Sequence, residues 1–191
     1  MGRLILVRHA ESEGNRDRRF TTSSAVPITA LGRQQARTAA LRILKSFRPV
    51  IVVASPFARA LQTATIIADV LGLPVELEHD FREQSFGDLA GKPYDVVSLE
   101  STYEPERAWE WTPPGGESAR QVLERTAPAL DRVARRYAGD DVVLVSHGAV
   151  MRTLWAHVTG DWTNAHAPRN CGIVLVEHTA GRYSPPEILD D

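Results

Sequence analysis

Four short apolar runs constrain the fold of this chain more than any other feature. Val and Ile dominate them without clean polar alternation, and they are RLILV (3–7), VIVVA (50–54), DVVLVS (141–146) and GIVLVE (172–177). Strands that are buried on both faces, as in parallel sheets, have this pattern. A weaker run, PVELE (74–78), predicts a fifth strand.

Apolar residues at helical spacing fill the stretches between these runs. They predict four helices, over about 31–47, 57–71, 118–137 and 150–158. Thr29 and Ser118 are the predicted N-caps, the second with Gln121 at capping-box spacing, and Gly72 and Gly160 are predicted helix ends. Strands that alternate with helices predict an α/β fold in three layers, a mostly parallel sheet with helices on both faces.

The length and composition suit one domain. The 191 residues are 43% hydrophobic and 24% charged, which allows a core without disulfides or metals to support it. We therefore expect a single domain over 1–191. Residues 84–116 have weak periodicity and four prolines, and we expect them to form a short insertion over one end of the sheet.

Charge and cysteine content narrow the range of partners. A net charge of −2 creates no field that would draw the protein to nucleic acid or to an anionic membrane. No apolar stretch approaches the ~20 residues of a membrane span and the first residues lack a signal-peptide layout, so we expect a cytoplasmic protein. The single cysteine, Cys171, lies in an apolar run, which predicts a buried, inert thiol. These patterns leave the oligomeric state open, and a homodimer is one option.

Polar side chains of an unusual kind follow three of the predicted strands. Arg8 and His9 come directly after the first strand. Ser55 and Arg59 follow the second, within SPFAR, and His147 follows the third, within SHG. In open α/β sheets the ligand binds in the crevice beyond the carboxyl ends of the strands. The sequence therefore predicts that two arginines and two histidines meet at one edge of the sheet.

This set of side chains points to an anion with several oxygens. Guanidinium groups match phosphate oxygens with fork-shaped pairs of hydrogen bonds, and helices that begin after Ser55 and Gly148 would add backbone donors. Two histidines also leave a metal site open, but Arg8 and Arg59 would repel a divalent cation, so we expect neither a metal nor a cofactor. The GxxxxGK(S/T) phosphate loop of nucleotide-binding proteins is absent from the sequence.

Each of these residues, taken alone, also has a simpler explanation. His9 fits a hydrogen-bonded histidine at the end of a strand, and His147 fits the cap of a loop. Arg59 lies off the apolar stripe of its helix, so the same spacing fits a solvated surface arginine. It is their joint occurrence at three strand ends that favours an active site.

Four stretches, in this order, resemble the motifs of the histidine phosphatase superfamily, which has the phosphoglycerate mutase-like fold: LVRHAESEGN, SPFARALQTA, FREQSFGDLAGK and LVSHGAVMRTL. The resemblance extends from residue 4 to about residue 154. It implies that His9 is the nucleophile that takes the phosphoryl group, with His147 as its partner in the pocket. It also implies that Arg8 and Arg59 clamp the phosphoryl oxygens.

The same resemblance implies roles for three further residues. Glu83 would protonate the leaving oxygen, although Glu78 and Asp80 are close rivals among the acidic residues of this loop. Ser12 and Asn15 match positions that line the phosphate pocket. The implied site therefore spans the ends of several strands and the loops that follow them.

The activity that the resemblance implies is metal-independent hydrolysis of a small phosphorylated metabolite through a phosphohistidine intermediate. Two alternatives are phosphoryl transfer of the phosphoglycerate mutase type and a module of the same fold that binds phosphorylated ligands. Residues 84–116 hold two basic and six acidic residues together with two tryptophans. This balance suits a less charged, partly apolar or sugar-like leaving group, and it therefore favours hydrolysis.

One position departs from the commoner form of the first motif. Many members of the family have Gly after the Arg-His pair, whereas this chain has Ala10. Glycine would permit a positive φ angle there, so alanine predicts an ordinary backbone or a slightly shifted pocket.

A basic run follows the first motif. NRDRRF contains Arg16, Arg18 and Arg19, which suit either a second anionic group of the substrate or a solvated cluster. Thr21 and Thr22 come next and are candidates for the mouth of the pocket.

Overall fold

A seven-stranded sheet forms the centre of the structure. The structure is a computed structural model, and it describes residues 1–21, 23–179 and 181–189. The strands are β1 (Gly2–Arg8), β2 (Pro49–Ala54), β3 (Val75–Leu77), β4 (Asp141–Ser146), β5 (Ile173–Thr179), β6 (Arg182–Tyr183) and β7 (Glu187–Leu189). The helices are α1 (Glu13–Arg16), α2 (Ala30–Ser46), α3 (Ala58–Leu71), α4 (Ala119–Arg136) and α5 (Gly148–Thr159). The five strands and four helices expected from the sequence are all present, with ends within two residues of their predicted positions.

The sheet is mostly parallel, as predicted. Its strand order is β3-β2-β4-β1-β5-β6, and β7 pairs with another part of β5. The four strands from β3 to β1 are parallel, whereas β5 runs antiparallel to β1. The apolar run of β5 predicted a parallel strand, and this was wrong because an apolar run reports burial, not strand direction. The two strands missed by the sequence, β6 and β7, are short and lie along the outer edge of β5.

Helices cover both faces of the sheet, which explains the unbroken apolar runs. In β1, Leu4 and Leu6 pack with residues of α4 and α5. Ile5 and Val7 point to the opposite face and pack with residues of α2 and α3. Successive side chains of a strand alternate between faces, so a strand covered on both sides needs apolar residues throughout.

The helix ends lie where the capping residues predict them. The side chains of Thr29 and Ser118 cap α2 and α4, the second in the predicted capping box. Gly72 and Gly160 end α3 and α5 with φ angles of 67° and 72°, which glycine adopts without strain. α5 begins at Gly148, two residues before the start predicted from its apolar stripe and next to the helix start expected after Gly148. Among the described residues, no helix is long and apolar enough to cross a membrane.

Residues 84–116 consist mainly of short 3-10 turns and loops. The segment pairs with the stretch that follows α1: the N–H of Phe20 donates to the carbonyl of Lys92 at 3.0 Å, and the N–H of Gly91 donates to the carbonyl of Phe20 at 2.9 Å. Since α1 itself comes shortly after the end of β1, this pairing holds the segment beside the carboxyl ends of the strands.

One ion pair joins β1 to β4 at their amino ends. Nε and Nη2 of Arg3 donate to the two carboxylate oxygens of Asp141 at 2.7 and 2.6 Å, and the N–H of Arg48 donates to the same carboxylate at 3.0 Å. Burial opposes ionisation of Asp141, but these hydrogen bonds outweigh it and lower its pKa.

We expect Asp141→Asn to lower the free energy of unfolding by roughly 1–2 kcal/mol at neutral pH, a value reduced for the partial exposure of Arg3. Because folding lowers the pKa of Asp141, its contribution is present above the unfolded pKa and is lost as the pH falls through the folded pKa. Urea unfolding at neutral and at strongly acidic pH measures the difference, which should shrink in acid. Asp17→Asn, in an exposed pair with Arg16, should change little at either pH. An equal loss at both pH values for Asp141→Asn would contradict this role.

Candidate active site

His9 lies just beyond the end of β1 and is 2% exposed. Its backbone N–H donates to the carbonyl of Ser146 at 2.8 Å, which fixes it beside the end of β4. Nδ1 lies 2.7 Å from the carbonyl oxygen of Ala10, which only accepts hydrogen bonds, so Nδ1 carries the proton. Nε2 is left with a lone pair and accepts a hydrogen bond from Nε of Arg59 at 3.3 Å.

The surroundings of His9 keep its ring neutral. Burial is the main cause that holds the pKa of His9 well below its usual range, and the positive charges of Arg59 and Arg8 act in the same direction. The unprotonated nitrogen of an imidazole is nucleophilic. His9 therefore presents a neutral, nucleophilic Nε2 at physiological pH.

Two guanidinium groups lie beside this nitrogen. Arg59, in the first turn of α3, is 2% exposed, so the alternative of a solvated surface arginine is wrong. α3 begins at the strand ends, and its first turn faces the crevice even though Arg59 is off the apolar stripe. Nη1 of Arg8 donates to the carbonyl of Pro168 at 2.9 Å. Nη1 of Arg59 and Nε of Arg8 are buried without a partner among the described residues, which is rare for buried donors and leaves them available to an anion.

His147 follows β4 as the N-cap of α5 and is completely buried. Its Nε2 lies 2.7 Å from Oγ of Ser55, which connects the ends of β4 and β2. Its ring centroid is 5.1 Å from that of His9, and its Nδ1 is 4.0 Å from Oε2 of Glu83. Burial first, and then the charge of Arg59, hold the pKa of His147 well below its usual range, so this ring is also neutral.

Glu83 brings a carboxyl group to the same place. Burial raises its pKa, although the charge of Arg59 opposes this. A raised pKa lets the carboxyl keep its proton to a higher pH than an ordinary glutamate, as a proton donor must. The rivals Glu78 and Asp80 lie elsewhere, because both accept hydrogen bonds from Nη2 of Arg132, at 3.1 and 2.9 Å.

These groups meet at a cavity of about 170 Å³ at the carboxyl ends of the strands. The cavity is lined by Arg8, His9, Asn15, Phe20, Thr21, Arg59, Glu83, Phe86, Tyr94, Gly148 and Ala149. His147 is not part of the lining and lies behind it. Thr21 is at the cavity, as the sequence suggested, whereas Thr22 lies outside the described residues.

Ser12 and Asn15 have different places in the site. Asn15 lines the cavity, but Ser12 does not: it is completely buried and forms a capping box with Asn15 at the start of α1. Nδ2 of Asn170 donates both to Oδ1 of Asn15 at 3.0 Å and to the carbonyl of His9 at 2.9 Å. Asn170 was not predicted, because a lone asparagine outside the four motifs has no periodicity or neighbour that marks it.

An aromatic wall closes one side of the cavity. The ring of Phe20 lies 4.3 Å from that of Phe86 and 5.0 Å from that of Tyr94, measured between centroids. The sequence interpretation relied instead on Trp109 and Trp111, and this was wrong, since neither lines this cavity or the next one. The two tryptophans pack against other aromatic rings, Trp111 against Tyr103 of the same segment and Trp109 against the distant Trp162.

A second cavity of about 390 Å³ adjoins the first and shares Thr21, Glu83 and Phe86 with it. The rest of its lining mixes polar groups with one further aromatic ring, and consists of Ser23, Ser24, Phe57, Arg82, Gln84, Ser85 and Glu117. Glu83 therefore lies between a small space rich in cationic donors and a larger, polar one.

Ala10 has an ordinary backbone, as expected for alanine. Arg18 and Cys171 are the non-glycine residues with positive φ among those described. The N–H of Ala10 donates to Oγ1 of Thr63 at 3.0 Å, and its methyl group is buried beside Ala36. Cys171 is buried in the same cluster, and burial raises the pKa of its thiol to about 12, which agrees with the prediction of an inert cysteine.

The three arginines that follow Asn15 are exposed and do not line the cavity. Nε of Arg16 donates to Asp17 at 2.8 Å, and Nη1 of Arg19 donates to the carbonyl of Gly91 at 2.9 Å. Of the two interpretations of Arg16, Arg18 and Arg19, this arrangement favours the solvated cluster.

A metal ion is the other ligand to consider. His9, Glu83 and His147 each offer a ligand atom, and these atoms lie within 4.8 Å of one another. The charge around them opposes a cation, because Arg59 donates to Nε2 of His9 and both arginines lower the pKa of the two histidines. These residues fit an anion better than a divalent metal ion.

A neutral imidazole nitrogen beside unpaired guanidinium donors is suited to attack a phosphoryl group, and the carboxyl opposite is suited to protonate the group that leaves. The fold and the site together define a phosphoryl-transfer enzyme.

Comparisons with known proteins agree. The model of the histidine phosphatase superfamily (branch 1) matches residues 4–190. The chain is 34% identical over 158 residues to phosphoglycerate mutase-like protein 4 of Arabidopsis thaliana, covering 80% of this chain and 69% of that protein. It is 33% identical over 204 residues to glucosyl-3-phosphoglycerate phosphatase of Mycolicibacterium vanbaalenii, covering 98% and 90%. Phosphoserine phosphatase of Entamoeba histolytica, solved in complex with 3-phosphoglyceric acid, matches with a TM-score of 0.85 at 26% identity, covering 100% and 98%.

The chain therefore belongs to the histidine phosphatase superfamily, branch 1, and it is a phosphoric monoester hydrolase. The resemblance in four motifs is confirmed, and so is the phosphoglycerate mutase-like fold.

We expect inorganic phosphate to bind at the unpaired donors and to raise the melting temperature of the protein. Arg59→Met should raise the Kd for phosphate by roughly 10- to 100-fold, since hydrogen bonds from a charged donor contribute about 1.5–3 kcal/mol. Isothermal titration calorimetry measures the change, and circular dichroism checks that the variant folds. Arg16→Met, which removes an exposed arginine near the site, should bind phosphate normally. An unchanged Kd in Arg59→Met would rule out this guanidinium as a phosphate ligand.

Proposed function

We propose that this enzyme hydrolyses small phosphomonoesters in two steps, through a phosphohistidine formed at Nε2 of His9. One observation supports this most strongly. The lone pair of His9 and the buried, unpaired donors of Arg8 and Arg59 belong to residues that line one small cavity. A nucleophile and its cationic clamp are then in place before the substrate binds, and the hydrogen bond from Nε of Arg59 to Nε2 of His9 is the contact that must break when Nε2 attacks.

In the proposed first step, Nε2 of His9 attacks phosphorus and the bond from phosphorus to the ester oxygen breaks. Glu83 gives its proton to that oxygen, because an alkoxide leaves poorly and an alcohol leaves well. Arg8 and Arg59 stabilise the negative charge that spreads over the three remaining oxygens. The products are an alcohol and a phosphohistidine.

In the second step, water takes the place of the alcohol. Glu83, now a carboxylate, accepts a proton from the water as its oxygen attacks phosphorus. The bond between nitrogen and phosphorus breaks, Nε2 regains its lone pair, and inorganic phosphate leaves. The positive charge that the reaction needs comes from guanidinium groups, so the proposal involves no metal and no cofactor.

The other site residues have supporting roles in this proposal. Asn15 and the first N–H groups of α5, from Gly148 onward, would add neutral donors to the phosphoryl oxygens. Ser12 would act through Asn15, whose position it holds by the capping box. His147 would pack against the nucleophile and keep its Nδ1 near the carboxyl of Glu83.

The larger cavity is the proposed place of the leaving group. Its hydroxyl, amide and guanidinium groups next to two phenyl rings suit a small, polar metabolite with hydroxyl groups, such as a sugar or a glycerate derivative. The relatives named as acting on glucosyl-3-phosphoglycerate and phosphoserine are consistent with this class. We further propose that residues 1–191 act as one domain in the cytoplasm, and that the insertion at about 84–116 contributes Phe86 and Tyr94 to the site.

Brief incubation with a labelled phosphomonoester in the presence of EDTA should leave a label on the protein that is stable in base and labile in acid, as phosphohistidine is. His9→Ala should abolish this label because the variant lacks the attacking nitrogen. His166→Ala, which removes an exposed histidine outside both cavities, should retain it. Scintillation counting of the quenched protein measures the label.

Label that persists in His9→Ala would show that another residue is the nucleophile. Transfer of the label from the enzyme to 3-phosphoglycerate, faster than to water, would favour a mutase instead. One relative is named as phosphoglycerate mutase-like. Absence of any turnover would favour a binding module.

The pH dependence of kcat/KM should reflect the shifted pKa values of Glu83 and His9. Because the pKa of Glu83 is raised, kcat/KM for an alkyl phosphate should fall toward alkaline pH with an apparent pKa above that of an ordinary glutamate. Because the pKa of His9 is lowered, protonation of the nucleophile should reduce activity only at a pH below the range in which an ordinary histidine titrates. Glu83→Gln should lose the alkaline limb together with most of the activity. If that variant kept the limb, a different group would be the acid.

A further inference from the structure

The carboxyl of Glu83 is held mainly by the backbone around it. Oε1 accepts a hydrogen bond from the N–H of Gln84 at 3.1 Å, and the N–H of Ala149 also favours its ionised form. Beyond the single 3-10 turn at His79–Phe81, the loop that carries Glu83 has no regular structure of its own. The position of the carboxyl therefore depends on what fixes the backbone of this loop.

Arg125, on α4, binds that backbone directly. Its side chain is 10% exposed. Nη1 donates to the carbonyl oxygens of Asp80 at 2.6 Å and Arg82 at 2.8 Å, and Nη2 donates to the carbonyl oxygen of Glu83 at 3.1 Å. One guanidinium group thus holds three carbonyls of the loop, the last of them belonging to Glu83 itself.

Glu117 orients this guanidinium group and holds the other side of the loop. Its two carboxylate oxygens accept hydrogen bonds from Nε and Nη2 of Arg125 at 3.1 and 3.0 Å. Oε2 also accepts from the N–H of Ser85 at 2.9 Å, and the N–H of Glu117 donates to the carbonyl of Ser85 at 2.8 Å. The backbone is therefore fixed on both sides of Glu83, from one end of a helix that packs on the sheet.

We propose that Arg125, oriented by Glu117, is a positioning residue that sets where the Glu83 carboxyl meets the leaving oxygen. The proposal rests on the proposed function of Glu83 as proton donor. The guanidinium group makes five hydrogen bonds, as many as it has N–H donors, and an ammonium group with three donors cannot reproduce them. Arg125 lines neither cavity, so it reaches Glu83 through the backbone of the loop. Its charge also helps to lower the pKa of His147, an effect that Arg125→Lys would keep.

The dependence of kcat/KM on the leaving group distinguishes a displaced acid from a general loss of structure. Nitrophenolate leaves readily without a proton, whereas the alkoxide of β-glycerol phosphate does not. A variant with a displaced acid should therefore lose activity on the alkyl ester and keep it on the aryl ester. A variant with damaged structure or a damaged phosphate clamp should lose activity on both.

The experiment compares kcat/KM for β-glycerol phosphate and p-nitrophenyl phosphate in four full-length proteins: the natural sequence, Glu83→Gln, Arg125→Met and Arg132→Met. Arg125→Met should lower kcat/KM for the alkyl ester on the order of 100-fold, as loss of a general acid does, and only a few-fold for the aryl ester. Arg132 is the matched control, since it lies on the same helix and binds Glu78 and Asp80 of the same loop from its exposed side. Arg132→Met should leave both values near those of the natural protein.

Glu83→Gln distinguishes failure of this proposal from failure of the proposed function. If Glu83→Gln loses activity equally on both esters, Glu83 is not the acid and the proposed function needs revision. If Glu83→Gln discriminates between the esters and Arg125→Met does not, Arg125 has no positioning role.

Two further variants keep the proposal testable if Arg125→Met does not fold. Arg125→Lys keeps the charge but not the fork, and Glu117→Gln keeps Arg125 but weakens its orientation. Because Glu117 also lines the larger cavity, this variant is compared by kcat at saturating substrate. Both should show the same preference for the aryl ester, by a smaller factor. Equal activities on the alkyl ester in these variants and in the natural protein would overturn the proposal.

Discussion

Two guanidinium groups, Arg59 buried and Arg8 partly buried, lie beside two buried imidazoles, and this is the constraint on which the rest of the site depends. A buried charge without a partner is strongly destabilising, and Arg8 and Arg59 both keep a buried donor unpaired. Each histidine can be tolerated there only as the neutral ring, which is also the reactive form of His9. The positive charge that remains is balanced when an anion with several oxygens enters. The same electrostatics therefore select the ligand and prepare the nucleophile.

The parallel sheet makes this arrangement possible because it brings residues from distant parts of the chain together at one edge. β2, β4 and β1 are neighbours, and their carboxyl ends deliver Ser55, His147 and His9 side by side. The hydrogen bond between His147 and Ser55 and the one from His9 to Ser146 are made across these strand ends. Helices on both faces bury the strands, so the crevice at their ends is the remaining place for polar groups to converge.

Local patterns in the sequence were sufficient to predict five of the strands and four of the helices, and to expect two arginines and two histidines at one edge of the sheet, whereas Glu83 was implied by the family resemblance. Capping residues such as Ser118 and periodic apolar runs act over a few residues, and their consequences agree with the structure. Arg59 shows what the apolar periodicity of a helix cannot predict. The apolar stripe of α3 records packing on the sheet, but Arg59 is buried at the end of the sheet, where a different surface covers it. Whether it was a site residue or a surface residue could be decided only by the fold.

Contacts between distant segments carried no comparable signal. Asn170 joins Asn15 to the backbone of His9, and Arg125 holds the loop of Glu83, yet neither lies in a pattern that marks its partner. The direction of β5 was missed for the same reason, since an apolar strand is equally well buried in either direction.

The two key pKa values move in opposite directions, and this has a chemical consequence. With ordinary values, a histidine near 6.5 and a glutamate near 4.3, a neutral imidazole and a protonated carboxyl coexist in only a small fraction of molecules at any pH. Burial lowers the pKa of His9 and raises that of Glu83, so it increases the fraction that holds both reactive forms together. One physical cause, removal of both groups from water, thus supplies a nucleophile and an acid in the same site. Because burial disfavours whichever form is charged, it acts on a base and an acid in opposite senses, and the enzyme needs no separate device for each.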